Sequence, residues 1–167
     1  MFGGLKMENN YIQLNKDNVL RLGIKDSEGN DTGEFLQFDL EDIELPLKYQ
    51  ELLEKDKKNK EHLRNQFLII DRKQDVKGKK LLSKNEEDKL KAIKEFFEKE
   101  AEIYNMFLGD KGVQKLLNGR KFGWTTLTEI DEIINKQIVP KLDVNMNDIT
   151  KKIKEKYSTD NKEVLKI

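Results

Sequence analysis

The stretch from Ser83 to Trp124 constrains the fold more than any other part of the chain. It is a long amphipathic run that ends in a glycine-punctuated break and the lone tryptophan. Ser83 followed three residues on by Glu86 forms a capping box. The hydroxyl takes an orphan backbone N–H, and the Glu side chain reaches back to the cap. Asn85, ahead of Glu86 and Glu87, is a competing cap. Leu90, Ile93, Phe97, Ala101, Tyr104 and Leu108 recur at steps of three and four, and so share one helical face. Phe96, Ile103 and Phe107 widen that face, which predicts burial on more than a narrow seam. Gly109 closes the helix, because a residue without Cβ takes the conformation of a C-terminal cap without penalty. From there to Trp124 the chain reads as turn, short helix, turn.

The N-terminal part has a different period. Tyr11–Leu14 is a short β-prone run. Val19–Ile24 alternates, with Leu20, Leu22 and Ile24 on one side, as a half-buried strand does. The run from Asp26 to Gly33 is turn chemistry throughout. Phe35–Leu40 alternates again and sets Leu36, Phe38 and Leu40 on one face. Two alternating runs around a glycine-bearing loop predict a β-hairpin. An isolated hairpin is barely stable in water, so its apolar face must pack on the helices.

Pro46 suits the first position of a helix, where its missing N–H costs little. Tyr49, Leu52, Leu53, Leu63, Phe67 and Ile70 follow at helical spacing, but Glu54–Glu61 is entirely polar. The helix either projects into solvent there or breaks. The favoured reading is one long helix, about Leu47 to Arg72, that leaves the core midway. Asp75–Lys80, with Gly78, is a loop back to the Ser83 helix, which makes an antiparallel helical hairpin. After Trp124, Thr125 or Thr126 caps a further helix. Leu127, Ile130, Ile133, Ile134 and Ile138 are its apolar face; Glu129, Asp131 and Glu132 suit its positive end. Pro140 stops it.

Beyond Pro140, Met146, Ile149, Ile153 and Tyr157 form a thin stripe at helical spacing. Asp148 is a plausible cap, and five lysines line the outside. This stripe is the candidate partner-binding site. Two readings stand side by side: a fourth helix docked on the domain, or a segment that orders on a partner, where methionine is adaptable. Ser158–Ile167 has little to anchor it. The fold class expected is mostly α, a bundle of about three to five helices with an N-terminal β-hairpin. A single domain covers Met1–Pro140, with the hairpin over Tyr11–Leu40 and helices over Pro46–Val139. An amphipathic C-terminal segment and tail cover Lys141–Ile167.

Composition removes most chemistries. The 167 residues include no cysteine and one histidine, His62, in a charged run. That leaves no disulfide, thiolate nucleophile, His-based triad or multi-His metal site within one chain. Lys plus Arg and Asp plus Glu are 32 each, so no net field draws the chain to nucleic acid or acidic membranes. No segment has the roughly eighteen uninterrupted apolar residues of a membrane span. The N-terminus MFGGLKMENN has too short an apolar run for a signal peptide, so the expected location is the cytosol. Met7 is an alternative start.

The remaining constellations read as structure. Glu86/Glu87, Asp131/Glu132 and Glu41/Asp42 are adjacent, in solvated, lysine-rich contexts, and not placed for acid–base work. DSEGNDTGE lacks the alternating ligands and terminal Glu of a calcium loop. Gly109-Asp110-Lys111-Gly112 follows no strand and precedes no GK[ST], so it is helix punctuation. The runs Lys55–Lys60 and Lys77–Lys84 have no interleaved aromatics or recognition motif, and read as solvated surface. Trp124, Phe122 and Tyr104 at helix junctions read as core. No cofactor and no metal are expected. An enzyme with an unrecognised site would betray itself through Asp110, Arg120 and Trp124.

The layout resembles the tail assembly chaperones of long-tailed phages and prophages of low-GC Gram-positive bacteria. The resemblance is carried by VLRLGIKDSEGNDTGEFLQFDL, then a charged helical hairpin, then EFFEKEAEIYNMFLGDKGVQKLLNGRKFGWTTLTEIDEIINKQ. In that family too, a helix ending in a Phe-Leu-Gly or Phe-Gly turn precedes a short helix and a last helix. The pattern covers about Val19 to Val139. Departures are the long Lys/Glu middle and the lysine-rich tail. The resemblance implies a non-enzymatic protein in the host bacterial cytoplasm that coats the tape-measure protein, keeps it soluble and delivers it to tail-tube protein. It also implies possible self-association, and no nucleic-acid or membrane partner. The competing class is a structural adaptor or scaffold component that stays in its assembly.

Overall fold

The computed structural model describes residues 10–14 and 18–158. The expectations for the first nine residues and for the tail after Ser158 lie outside the described residues. The architecture is mostly α with an N-terminal two-stranded antiparallel hairpin. Tyr11–Leu14 is exposed and carries no strand.

Strand β1 (Val19–Lys25) pairs with β2 (Asp31–Asp39), setting Leu20 opposite Phe38 and Leu22 opposite Leu36. The second strand starts at Asp31, earlier than expected, because the turn is shorter than its composition suggests. Asp26 Oδ1 accepts the N–H groups of Glu28 and Asn30, both at 2.9 Å, and closes the turn by itself. The extra residues of β2 are absorbed opposite Ile24 in a bulge, where Gly33 sits at φ +76°. The apolar face is the expected one. Ile24, Leu36 and Phe38 are buried, with Leu20, Leu22 and Leu40 packed at the edge of the core.

Helix α1 (Glu44–Asp71) begins before the expected start. Asp42 Oδ1 accepts the Glu44 N–H at 2.9 Å and opens the helix there. Pro46 is therefore in the third position, still within the turn whose N–H groups have no helical partner. The helix is continuous, as expected, but it does not leave the core midway. Leu52, Leu63 and Ile70 are buried, and Asp56 and Asn59 between them are half-buried. The polar middle faces the interior with two of its side chains.

Helix α2 (Lys84–Leu108) carries the predicted capping box. The Glu86 N–H donates to Ser83 Oγ at 3.1 Å, and the Ser83 N–H donates to Glu86 Oε2 at 3.3 Å. Asn85 does not compete. Its amide donates to the carbonyls of Ile70 and Lys73, at 3.2 and 3.0 Å, and so finishes the preceding helix. The buried line of α2 is Ala92, Phe96, Glu100, Ile103 and Phe107, with Tyr104 and Leu108 beside it. Leu90 is exposed, and Ile93, Phe97 and Ala101 are only half-buried. The helix has two adjacent apolar lines, and α1 meets the other one.

Gly109, at φ +101°, ends α2. Helix α3 (Gly112–Leu117) then folds back on it. Asn105 Oδ1 accepts the Val113 N–H at 2.8 Å and anchors this short helix. A Cβ on Gly112 would lie 2.6 Å from Leu108 Cβ, so this glycine allows close packing and is more than punctuation. Helix α4 (Trp124–Ile133) has Gly123 as its N-cap. The Gly123 N–H donates to Thr126 Oγ1 at 2.8 Å, so Thr126 caps from inside the first turn and neither threonine is the cap itself.

Pro140 does not stop the helix. A π turn over Ile134–Ile138 leads directly into α5 (Val139–Ser158). A proline ring crowds the carbonyl four residues back, and a locally wider turn relieves that crowding. Asp148, expected as a cap, lies inside α5. Leu142 is buried in the core, and Asn145 bridges the two ends of the chain. It accepts from Asn18 Nδ2 at 3.0 Å and donates to the Leu40 carbonyl. No structural break falls at the expected boundary of 140.

Candidate functional site

After Leu142 and Asn145 the rest of α5 stands in solvent, and every residue from 150 to 157 is exposed. Met146, Ile153 and Tyr157 are 41%, 53% and 45% exposed, and Ile149 is half-buried. At steps of three, four and four these residues share one side of the helix. Ile149 also lines a groove of about 530 Å³ between α5 and the end of the hairpin, with Leu40, Ile43 and Val144. The first two turns of α5, to Asn145, are docked, Ile149 is at the edge of that contact, and the turns beyond are not docked. The four predicted partner-binding residues thus form one apolar edge on an element rooted in the core.

The aromatic junction behaves differently from a plain core. Tyr104 is buried, and its hydroxyl donates to Asp131 on α4. Trp124 is 52% exposed and packs on Phe96 and Phe97, with ring centroids 5.2 and 4.8 Å apart. Phe122 meets Phe97 edge-on at 5.2 Å. Asp110 is exposed, and Arg120 pairs at the surface with Glu129 at 3.3 Å. Arg120 and Trp124 line different grooves. His62 lies exposed at the edge of a groove of about 480 Å³ between α1 and α2. Among the described residues, no three His, Cys, Asp or Glu side chains are grouped to hold a metal ion. No helix among them is long and apolar enough to cross a membrane.

A buried polar cluster was not foreseen. Glu100 is 0% exposed in the α1–α2 seam. Its Oε1 accepts from Asn59 Nδ2 at 2.8 Å, and the same amide group donates to the Phe96 carbonyl at 3.1 Å. The Glu100 and Asp56 carboxyl groups lie within hydrogen-bonding reach; the oxygens with no other partner are Glu100 Oε2 and Asp56 Oδ1. Lys60 Nζ holds the remaining Asp56 oxygen at 2.9 Å. Burial, then the Asp56 hydrogen bond, push the Glu100 carboxyl up to about 8. Burial likewise raises Asp131, against the Tyr104 hydrogen bond that lowers it. Asp131 therefore departs from the expected solvated helix face, whereas Glu132 is exposed. Asp56 and Asn59 continue the spacing from Leu52 to Leu63, and Glu100 that from Phe96 to Ile103. Position, not polarity, marks all three as interior.

Comparison with protein-family models, with curated proteins and with solved structures finds no match to this chain.

Proposed function

We propose that this chain is a non-enzymatic tail assembly chaperone of a phage, acting in the host bacterial cytoplasm. It binds the tape-measure protein, keeps it soluble and hands it to tail-tube protein. The observation that carries this reading is the apolar edge of α5, on which Met146, Ile153 and Tyr157 are exposed and Ile149 is half-buried. Apolar side chains aligned at helical spacing on a solvated rod are the form taken by helix-in-groove recognition. Lysines 151, 152, 154 and 156 flank that edge and keep the free helix dissolved. The order of elements supports the same reading: hairpin, charged helical hairpin, Phe-Leu-Gly turn, short helix and last helix follow the pattern of the family that the sequence resembles.

The test is co-expression with the very long helical reading frame expected downstream. The full chain should co-purify with that product and raise its soluble yield. A chain carrying Ile153→Asp and Tyr157→Asp should lose both effects. Absence of any complex would overturn the reading. Mass spectrometry of finished particles separates the alternative: stoichiometric copies there would make the chain a structural adaptor.

A further inference from the structure

We propose that the open seam between α1 and α2 beside Trp124 is a docking site for an acidic amphipathic helix of a partner protein. The inference rests on the reading that this chain binds another protein, and adds a second site away from α5.

Helix α2 carries the apolar line Leu90, Ile93, Phe97 and Ala101 next to the one buried against α1. Leu90 is exposed and the other three are half-buried, with Phe122 and Trp124 leaning on Phe97. Next to this line lies a groove of about 460 Å³, lined by Phe67, Leu68, Ile93 and Trp124. Leu68 is 49% exposed there. A groove between two antiparallel helices is shaped for a third, whose apolar side chains enter at helical spacing. Trp124 is held by Phe96 and Phe97 before anything binds, so docking on it fixes little additional side-chain freedom. Tryptophan and arginine are also among the side chains that most often anchor interfaces.

Charge selects the occupant. The charged side chains lining the groove are Lys60 and Arg64; Lys60 is paired with Asp56 at 2.9 Å, whereas Arg64 makes no ion pair among the described residues. Lys89, which is paired with Asp71, lies above the Phe67 ring, 5.4 Å from its centre. A helix with a carboxylate beside its apolar face meets Arg64, the one of these three cations without an ion pair among the described residues, favourably. The projecting half of α5 from a second copy would bring lysines 151, 152, 154 and 156 against them, which disfavours self-docking through that helix.

Trp124 is the only tryptophan, so its emission reports this groove directly. The probe is a synthetic helical peptide of about 20 residues, with leucines on one face and glutamates on the other. Its leucine–lysine counterpart is the control. With the full chain, the glutamate peptide should shift Trp124 emission to the blue and protect it from acrylamide, and the lysine peptide should not. Arg64→Glu and Leu68→Asp, at exposed helix positions, should keep the circular-dichroism spectrum and weaken binding about tenfold or more. Ile153→Asp with Tyr157→Asp should leave this binding unchanged. No emission change at millimolar peptide, an equal response to the lysine peptide, or indifference to both groove substitutions would overturn the proposal. So would an emission shift on concentrating the protein alone, matched by self-association in light scattering, which would make a second copy the occupant. These outcomes leave the co-expression test of α5 standing, so the two readings fail separately.

Discussion

The Glu100 carboxyl on α2 faces the Asp56 carboxyl on α1 inside the seam that joins the two long helices, and Glu100 Oε2 and Asp56 Oδ1 are both buried there without a hydrogen-bond donor among the described residues. Burial, and then the neighbouring Asp56 carboxyl, disfavour the charged form of Glu100, so Glu100 is the group that keeps its proton. Lys60 on α1, Asn59 and the Tyr104–Asp131 pair complete the surroundings. The polar middle of α1 is thereby part of what specifies the register of the helical hairpin.

The pair makes stability depend on pH with a definite sign. Glu100 titrates near 4.5 in an unfolded chain and near 8 in the folded one. Between those values the folded state keeps a proton that the unfolded state has lost, so stability falls as pH rises. The contribution is fully present below the lower value and lost as pH passes through the higher. Asp75, whose carboxyl is lowered chiefly by the Asn85 N–H, acts in the opposite direction on the acid side. Thermal melts from about pH 5 to about pH 9 should show a falling midpoint for the natural chain. Glu100→Gln should flatten that slope. A slope that persists in Glu100→Gln would assign it to another group.

Gly112→Ala tests the packing of α3 on α2. The added Cβ would sit 2.6 Å from Leu108 Cβ, a distance real Cβ atoms do not tolerate. Alanine is the better helix former by about 1 kcal/mol, yet overpacking of this kind costs about 1–3 kcal/mol. The net effect in urea unfolding should be destabilising. A gain in stability would show that α3 shifts freely.

Asn85→Ala should destabilise the chain by about 1–2 kcal/mol, because it strips the donors from the Ile70 and Lys73 carbonyls at the end of α1. Asn85→Asp should be at least as damaging, since a carboxylate would face those carbonyl oxygens. The capping box of Ser83 and Glu86 is untouched in both variants. A shift in the urea midpoint at constant slope is the expected signature.

What was legible in the sequence was local. The hairpin followed from alternation in Val19–Ile24 and Phe35–Leu40, and the start of α2 from Ser83 and Glu86, each within a few residues. What failed depended on which surfaces meet. Leu90, Ile93 and Phe97 recur at helical steps, as Phe96, Ile103 and Phe107 also do, and periodicity does not say which line α1 will choose. Asp56 and Glu100 are 44 residues apart and polar, so only their place in the apolar spacing marks them as interior, and nothing in the sequence pairs them. Pro140 is a stop signal by its own chemistry, and the π turn that admits it is fixed by Ile134, Ile138 and Leu142 all reaching the core. The candidate edge of α5 was legible as a stripe, while its exposure followed only from where α5 leaves the body.

That departure point separates two kinds of substitution along one helix. Leu142 is buried among the core residues, so Leu142→Ala should cost about 2–5 kcal/mol. Ile153→Asp and Tyr157→Asp lie on exposed turns and should each change stability by about 0.5 kcal/mol or less. Cutting the chain at Pro140 would remove Leu142 and the Asn145 bridge to Leu40, so the melting temperature should drop. Cutting it after Asp148 keeps both, and should leave the midpoint nearly unchanged while reducing helical ellipticity and abolishing partner capture. A midpoint that falls equally in the two truncations would show that the outer turns of α5 belong to the folding unit, and would remove the free edge on which its binding role depends.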